Sequence, residues 1–107
     1  MIIVTSDNIV HKKIVKTLGI VRGNTIRARH LGRDIAAGFR NLVGGEIKEY
    51  TKLIAESREQ AMDRMIEEAE SMGANAIIMC RFSTSELMRG AAELLVYGTA
   101  VVIEDDD

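Results

Sequence analysis

Gly73-Ala74-Asn75-Ala76-Ile77-Ile78-Met79-Cys80-Arg81-Phe82 is the segment around which the rest of this chain must be arranged. It follows an amphipathic helical pattern and begins at a glycine, the residue that commonly lies just past a helix end. Regular alternation places apolar side chains on both of its faces: Ala76, Ile78, Cys80 and Phe82 on one, and Ala74, Ile77 and Met79 beside Arg81 on the other. A strand that is apolar on both faces needs cover on both faces.

The segments on either side of this strand have equally clear patterns. Residues 46–72 predict a long helix, because their apolar residues recur at gaps of three and four: Tyr50, Leu53, Ile54, Ala61, Met62, Met65, Ile66, Ala69 and Met72. The opposite side of this helix is acidic. After a predicted polar loop at 83–86, residues 94–103 predict a last strand that is again apolar on both faces.

The first half of the chain predicts two strands and a shorter helix. Residues 1–5 are β-branched and end at a turn-forming cluster, which predicts a short edge strand. Residues 14–29 predict one long bent strand or two strands in line, because Gly19 and Gly23-Asn24 interrupt an extended pattern. Residues 31–43 have a helical period that stops at Gly44-Gly45. The predicted fold class is therefore α+β.

The composition indicates one soluble domain. The chain has 107 residues, 47% of them hydrophobic, with no Trp, no Pro and one Cys. That length supports a single core, predicted over residues 1–103, with an acidic tail at 104–107. No leader pattern, no membrane-length apolar run and no possible intramolecular disulfide is seen, which predicts a cytoplasmic protein without membrane association.

Charge is unevenly distributed along the chain. Residues 11–40 carry a net charge of +7, whereas residues 41–107 carry −8. The basic half could bind an anionic small molecule or nucleic acid, or the two halves could pair within or between subunits. Within residues 11–40 only Phe39 is aromatic, so aromatic residues do not interleave the basic ones as stacking platforms would, which argues against nucleic acid.

The two doubly apolar strands also predict assembly. One long and one short helix can cover one face of a sheet of three to four strands, but little chain remains for the other face. A large exposed apolar face is rare on monomers, and its burial favours self-association. We therefore expect the second face to pack on other copies of the chain in a closed ring.

Several motifs, in order along the chain, resemble the YbjQ-like family: Arg40-Asn41-Leu42-Val43-Gly44-Gly45-Glu46, Tyr50-Thr51, Gly73-Ala74-Asn75-Ala76, Arg81-Phe82 and Tyr97-Gly98-Thr99-Ala100-Val101. The resemblance runs from about Val4 to Val102. It implies a dodecin-like α+β subunit assembled into a homopentamer, and it brings a heavy-metal-binding label. The activity of the family is not established.

The metal label directs attention to Cys80, His11 and His30, the residues of this chain with soft or borderline donor atoms. They are far apart in sequence and form no Cys-x-x-Cys motif, although a ring could bring copies of one residue together. The family pattern usually has a small apolar residue where this chain has Cys80, so a Cys80 site would not explain a family-wide metal function. The alternative is that Cys80 packs in the core as a small hydrophobe.

A second group of residues consists of candidate interface or ligand contacts: Arg40, Glu46, Tyr50, Arg81 and Glu93. Arg81 lies in an otherwise apolar strand and needs a partner, for which Glu93, Glu46 and Glu49 are candidates. No catalytic motif for acyl transfer, phosphate binding or zinc hydrolysis is present, so we expect no enzyme. Three functions remain open: a ring-forming binding or scaffold protein, a metal binder whose divalent or heavy-metal ion is held in the ring, and a binder of anionic molecules.

Overall fold

The computed structural model describes residues 1–27, 44–88 and 91–106. Its elements are β1 (Ile2–Ile3), β2 (Lys12–Arg27), α1 (Gly44–Ser71), β3 (Ala76–Met88) and β4 (Ala91–Asp105). The four strands form one mixed sheet in the order β1-β3-β4-β2, in which β1 is parallel to β3 and the other two pairs are antiparallel. The predicted α+β class is confirmed.

The predicted elements of the first half are found where the structure describes them. β1 lies at one edge of the sheet, as expected for residues 1–5. β2 is one continuous strand with register shifts at Ile14/Lys16 and Thr17/Gly19, so the long bent strand, not two separate strands, is observed. The shorter helix predicted over 31–43 lies outside the described residues.

β3 is longer than the sequence predicts. The polar stretch at 83–86 was expected to be a loop, and that prediction is wrong: Ser83, Thr84 and Ser85 pair with Leu95, Leu94 and Glu93 of β4. Polar residues form a strand here because the neighbouring strand supplies the hydrogen-bonding partner, which local composition does not reveal. β4 likewise runs past the predicted end, through Glu104 to Asp105.

A bulge in β3 changes which side chains share a face. Met79 has φ +55°, and the register with β4 shifts between Ile78 and Arg81. The extra residue moves Cys80 to the same face as Ile77. The prediction that Cys80 shares a face with Ile78 is therefore wrong. The amino-terminal segment secures this bulge, because the amides of Met79 and Cys80 donate to the carbonyls of Ser6 and Val4, each at 3.0 Å.

One face of the sheet is covered by α1, which packs over β2 and β4. The core between them is fully buried and contains Val21, Ala61, Met65, Ala69, Ile77, Val96 and Ala100. Gly23 allows the close approach, since a Cβ there would collide with the carbonyl oxygen of Ala61 and lie 2.6 Å from the amide nitrogen of Met65. No described helix is long and apolar enough to cross a membrane.

The second face of the sheet is divided into a covered half and an open half. In the covered half, Val4 and Ile9 of the amino-terminal segment pack on a second buried cluster: Ala76, Ile78, Val101 and Ile103. Asn75 closes this half, because its side chain donates to the Ile103 carbonyl at 2.9 Å and accepts from the Ile103 amide at 2.7 Å.

The open half, which we call the open face, is defined by Ile20, Ile26 and Tyr97. They are 75%, 56% and 40% exposed. Alternation along β2 and β4 puts all three on the side away from α1, as for Val101 and Ile103. The apolar pattern that predicted cover for this face is thus only partly satisfied by the described residues.

Candidate functional site

A cleft of about 580 Å³ lies at the free edge of β2, where α1 passes over the strand. It is lined by residues from three elements: Arg22, Gly23 and Asn24 of β2, Arg64 and Glu68 of α1, and Glu93 and Leu95 of β4. The volume is within the range of small-molecule pockets. The direct contact of α1 with Gly23 brings the helix side chains within reach of the strand edge.

A chain of hydrogen bonds holds part of this cleft in place. Nη1 of Arg64 donates to the Asn24 carbonyl oxygen at 2.5 Å, which satisfies a backbone acceptor on the edge strand. The Asn24 amide Nδ2 donates to Oε2 of Glu93 at 2.9 Å. Arg64, Asn24 and Glu93 are therefore positioned by one another, although they come from three different elements.

Cys80, the foremost candidate for a metal ligand, is buried in the helix-covered core and only 4% exposed. Burial raises the pKa of its thiol, and the nearby Arg81 guanidinium opposes that shift to a lesser extent. Because the thiolate is the form that binds metals, a buried thiol with a raised pKa is a poor ligand. The position of Cys80 agrees with a packing role.

The other proposed metal ligands are His11 and His30. His11 is exposed in the turn before β2, at φ +66°, and its carbonyl accepts a hydrogen bond from the Asp106 amide at 3.0 Å. His30 lies outside the described residues. In the described parts of the chain, no three His, Cys, Asp or Glu side chains are grouped as metal ligands would be.

Arg81 is satisfied by backbone oxygens. Its Nη1 donates to the carbonyls of Thr5 at 2.8 Å and of Cys80 at 2.9 Å, so it ties the amino-terminal segment to the bulge. Neither bond involves the carboxylates that the sequence suggested as partners, and Glu93 bonds Asn24. Of the remaining candidates, Arg40 lies outside the described residues, while Glu46 and Tyr50 belong to the first two turns of α1.

The register of the sheet places an aromatic residue between two cations on the open side. Arg22 pairs with Tyr97, and Tyr97 pairs with Arg81, so the three form one row across β2, β4 and β3. The sequence interpretation considered sequence neighbours only and did not anticipate this row, because Tyr97 belongs to β4. Of the other basic residues in the first half, Lys12 forms an ion pair with Asp105, and residues 28–43 lie outside the described part.

Sequence reasoning missed three polar residues of the cleft: Asn24, Arg64 and Glu68. They come together because α1 crosses β2, and no local pattern reports that crossing. Gly23 was the available signal, since a glycine within a strand can mark the close approach of another backbone. The sequence interpretation assigned it to a bend instead.

Comparisons with a family model and with individual proteins both identify the same family. A family model described as "Putative heavy-metal-binding" (YbjQ) matches residues 1–104. A UPF0145 protein of Clostridioides difficile is 56% identical over 107 residues, covering all of this chain and 96% of that protein. A UPF0145 protein of Methanosarcina acetivorans is 58% identical over 103 residues, covering 96% of this chain and 97% of that protein.

Among solved structures, one from Pediococcus pentosaceus has a similar fold. It is described as a protein of unknown function in the DUF74 family, and it matches with a TM-score of 0.65 over 97% of this chain and 98% of that chain. The sequences are 16% identical, so this likeness concerns the fold alone.

Proposed function

This chain belongs to the YbjQ family, UPF0145, and on that basis we propose that it is a non-enzymatic, ring-forming homo-oligomer that serves as a binding or scaffold protein. The observation that carries the proposal is the open face. Ile20, Ile26 and Tyr97 expose their side chains on the half of the sheet that the amino-terminal segment leaves uncovered. A second copy of the chain that packs there would complete the cover that both doubly apolar strands require.

The dimensions of the chain also support assembly. Its radius of gyration is 17.2 Å, and its principal extents are 57 × 25 × 17 Å. A globular domain of this length has a radius of gyration of about 13 Å. The greater extension is expected of a subunit that acquires part of its packing from neighbours, and a ring is the closed form of such contacts when they are heterologous.

The proposal is tested by changing the open face and measuring mass in solution. The double variant Ile20→Ser/Ile26→Ser removes two exposed apolar side chains without altering the buried core. We expect the unaltered protein to have a defined oligomeric mass by light scattering and the double variant to have a lower mass. Val10→Ser is the matched control, because Val10 is 74% exposed but lies in the turn before β2.

Two results would contradict the proposal. One is a monomeric mass for the unaltered protein at micromolar concentration. The other is an unchanged oligomer in the Ile20→Ser/Ile26→Ser variant, which would place the contact between copies elsewhere. Circular dichroism on each variant separates loss of assembly from loss of folding.

Heavy-metal binding is the second candidate function, favoured by the description of the family model. The described residues of one chain group no set of ligands, and the proposal is therefore that side chains from several copies hold the metal. Elemental analysis of protein purified without a metal-affinity tag, before and after chelator, measures the metal content. Full binding in Cys80→Ala, His11→Ala and His30→Ala variants would exclude all three residues as ligands.

A further inference from the structure

The ring proposal gives no role to the charged side chains of the cleft at the free edge of β2. Two cations, Arg22 and Arg64, and two anions, Glu68 and Glu93, line one cleft. Within the described residues, none of the four forms an ion pair, since the salt bridge found there joins Lys12 to Asp105. Side chains of opposite charge, from β2 and β4 on one side and from α1 on the other, thus meet at the cleft without forming an ion pair among the described residues.

Part of the cleft is already organised. Arg64 and Glu93 are fixed through Asn24, at 2.5 Å and 2.9 Å. Arg22 and Glu68 make no side-chain hydrogen bond to a described residue, so their charged groups keep their capacity for a ligand. Leu95 adds an apolar contact surface that is partly buried. A fixed frame beside two available charges reduces the ordering cost of binding.

From this arrangement we infer that the cleft binds a small zwitterion, a molecule that carries a carboxylate and an ammonium group, such as a free α-amino acid. The Arg22 guanidinium binds the carboxylate, for which its planar fork of N–H donors is well suited. The Glu68 carboxylate binds the ammonium group, and Leu95 contacts the apolar part of the ligand.

The charges of the lining side chains explain why the ligand needs both its carboxylate and its ammonium group. The charges of the four lining side chains sum to zero. A simple anion is attracted by the two arginines but repelled by the two carboxylates, and a simple cation is attracted by the carboxylates but repelled by the arginines. A zwitterion can satisfy both signs at once, which makes the cleft selective against either half alone. All lining residues belong to one chain, but Arg22 and Asn24 share one side of β2 with Ile20 and Ile26, so a copy that covers the open face would lie beside the cleft.

The test uses the intact protein and three forms of one amino acid, with isothermal titration calorimetry as the measurement. L-leucine carries both charges, N-acetyl-L-leucine keeps only the carboxylate, and L-leucinamide keeps only the ammonium group; L-aspartate and L-arginine, with their matched derivatives, extend the panel. We expect saturable binding of at least one amino acid, with both of its single-charge forms weaker by about tenfold or more.

Two variants identify the residues, and two controls match them. Arg22→Gln and Glu68→Gln each remove one charge from the cleft and are expected to weaken binding by about tenfold. Arg58→Gln and Glu70→Gln remove the same charges from exposed positions of α1 outside the cleft, and they should leave binding unchanged. The inference is overturned if no amino acid of the panel binds at about 5 mM, if the single-charge forms bind equally well, or if the cleft variants bind like the controls.

Discussion

The two faces of the sheet are made from the same strands with the same apolar alternation, yet only one of them is closed. Between α1 and the face that it covers, Val21 and Val96 of the sheet and Met65 of the helix are fully buried. On the other face, the amino-terminal segment covers Val101 and Ile103, and the remaining half exposes the open face. The helix-covered face therefore provides stability within one chain, whereas the open face is available for contact with another molecule.

The largest effect is expected where the closed face is tightest. Gly23→Val would drive a side chain into the backbone of α1 at Ala61 and Met65, which cannot yield as a flexible side chain would. We expect a loss of about 4 kcal/mol or more in the free energy of unfolding, or failure to fold. The measurement is urea denaturation followed by circular dichroism.

Gly73→Ala is the control for this substitution. Gly73 has a positive φ of +89° but nothing within 4 Å of an added Cβ. Only backbone strain is introduced there, so the loss should be about 1 kcal/mol. Equal free energies of unfolding for the two glycine variants would contradict the close contact between α1 and β2.

Truncating one apolar residue at each face tests the difference between the closed face and the open face. Met65→Ala empties part of the closed core and should cost about 2–5 kcal/mol at any protein concentration. Ile20→Ala should leave the dissociated chain within about 0.5 kcal/mol of the original, because the side chain is exposed. In the assembled protein, however, it should lower stability by weakening contact between copies.

Urea midpoints at two protein concentrations separate these cases. The loss in Met65→Ala should be the same at both concentrations, whereas the loss in Ile20→Ala should be greater at the higher one. A concentration-independent loss in Ile20→Ala would mean that this residue contributes to the fold of a single chain.

A smaller effect is expected at the bulge of β3. Met79 is 40% exposed and occupies the left-handed region at φ +55°. Met79→Ile places a β-branched residue in that conformation and should cost about 1–2 kcal/mol. Met72→Ile, at a similarly exposed methionine without a positive φ, should cost less than about 0.5 kcal/mol. Thermal unfolding of both variants measures the difference, and equal melting temperatures would argue against a strained Met79.

The smallest effect is expected at the ion pair between Lys12 and Asp105, which lies at the solvent-exposed end of β2 and β4. The hydrogen bond and the charge of Lys12 lower the pKa of Asp105. A lowered folded-state pKa means that the stabilising contribution is present above the unfolded-state pKa, about 3.9, and is lost as pH falls through the folded-state value.

Asp105→Asn tests this linkage. The variant should differ slightly from the original protein at neutral pH and low salt, and the difference should vanish in strong acid or at high salt. Urea midpoints measured across that pH range provide the check. A difference that grows as the pH falls would have the wrong sign for this pair.

The sequence predicted the parts of the fold that depend on local periodicity. The gaps of three and four in residues 46–72 correspond to α1, and the alternation of residues 94–103 corresponds to the two faces of β4. It did not predict the β3 strand at 83–86, because serine and threonine there pair with β4 through backbone bonds. It also missed the Met79 bulge, since methionine is not a residue that usually adopts a positive φ.

The candidate sites were less accessible to sequence reasoning than the fold. Arg22 and Tyr97, like Arg64 and Asn24, are neighbours only because strand order and the crossing of α1 bring them together. Of the residues singled out for their chemistry, Cys80 lies in the buried core and Arg81 donates to two backbone carbonyls. The open face was anticipated as a need for cover, because alternation reports which side chains share a face.

The proposal that another copy covers the open face is tested most directly by native mass spectrometry of untagged protein at about 10 μM, a concentration at which contacts of micromolar affinity or better form. We predict one closed oligomer of defined copy number; five copies would agree with the family resemblance. A monomer at that concentration would contradict the proposal, because Ile20, Ile26 and Tyr97 would then remain exposed to water in the working protein.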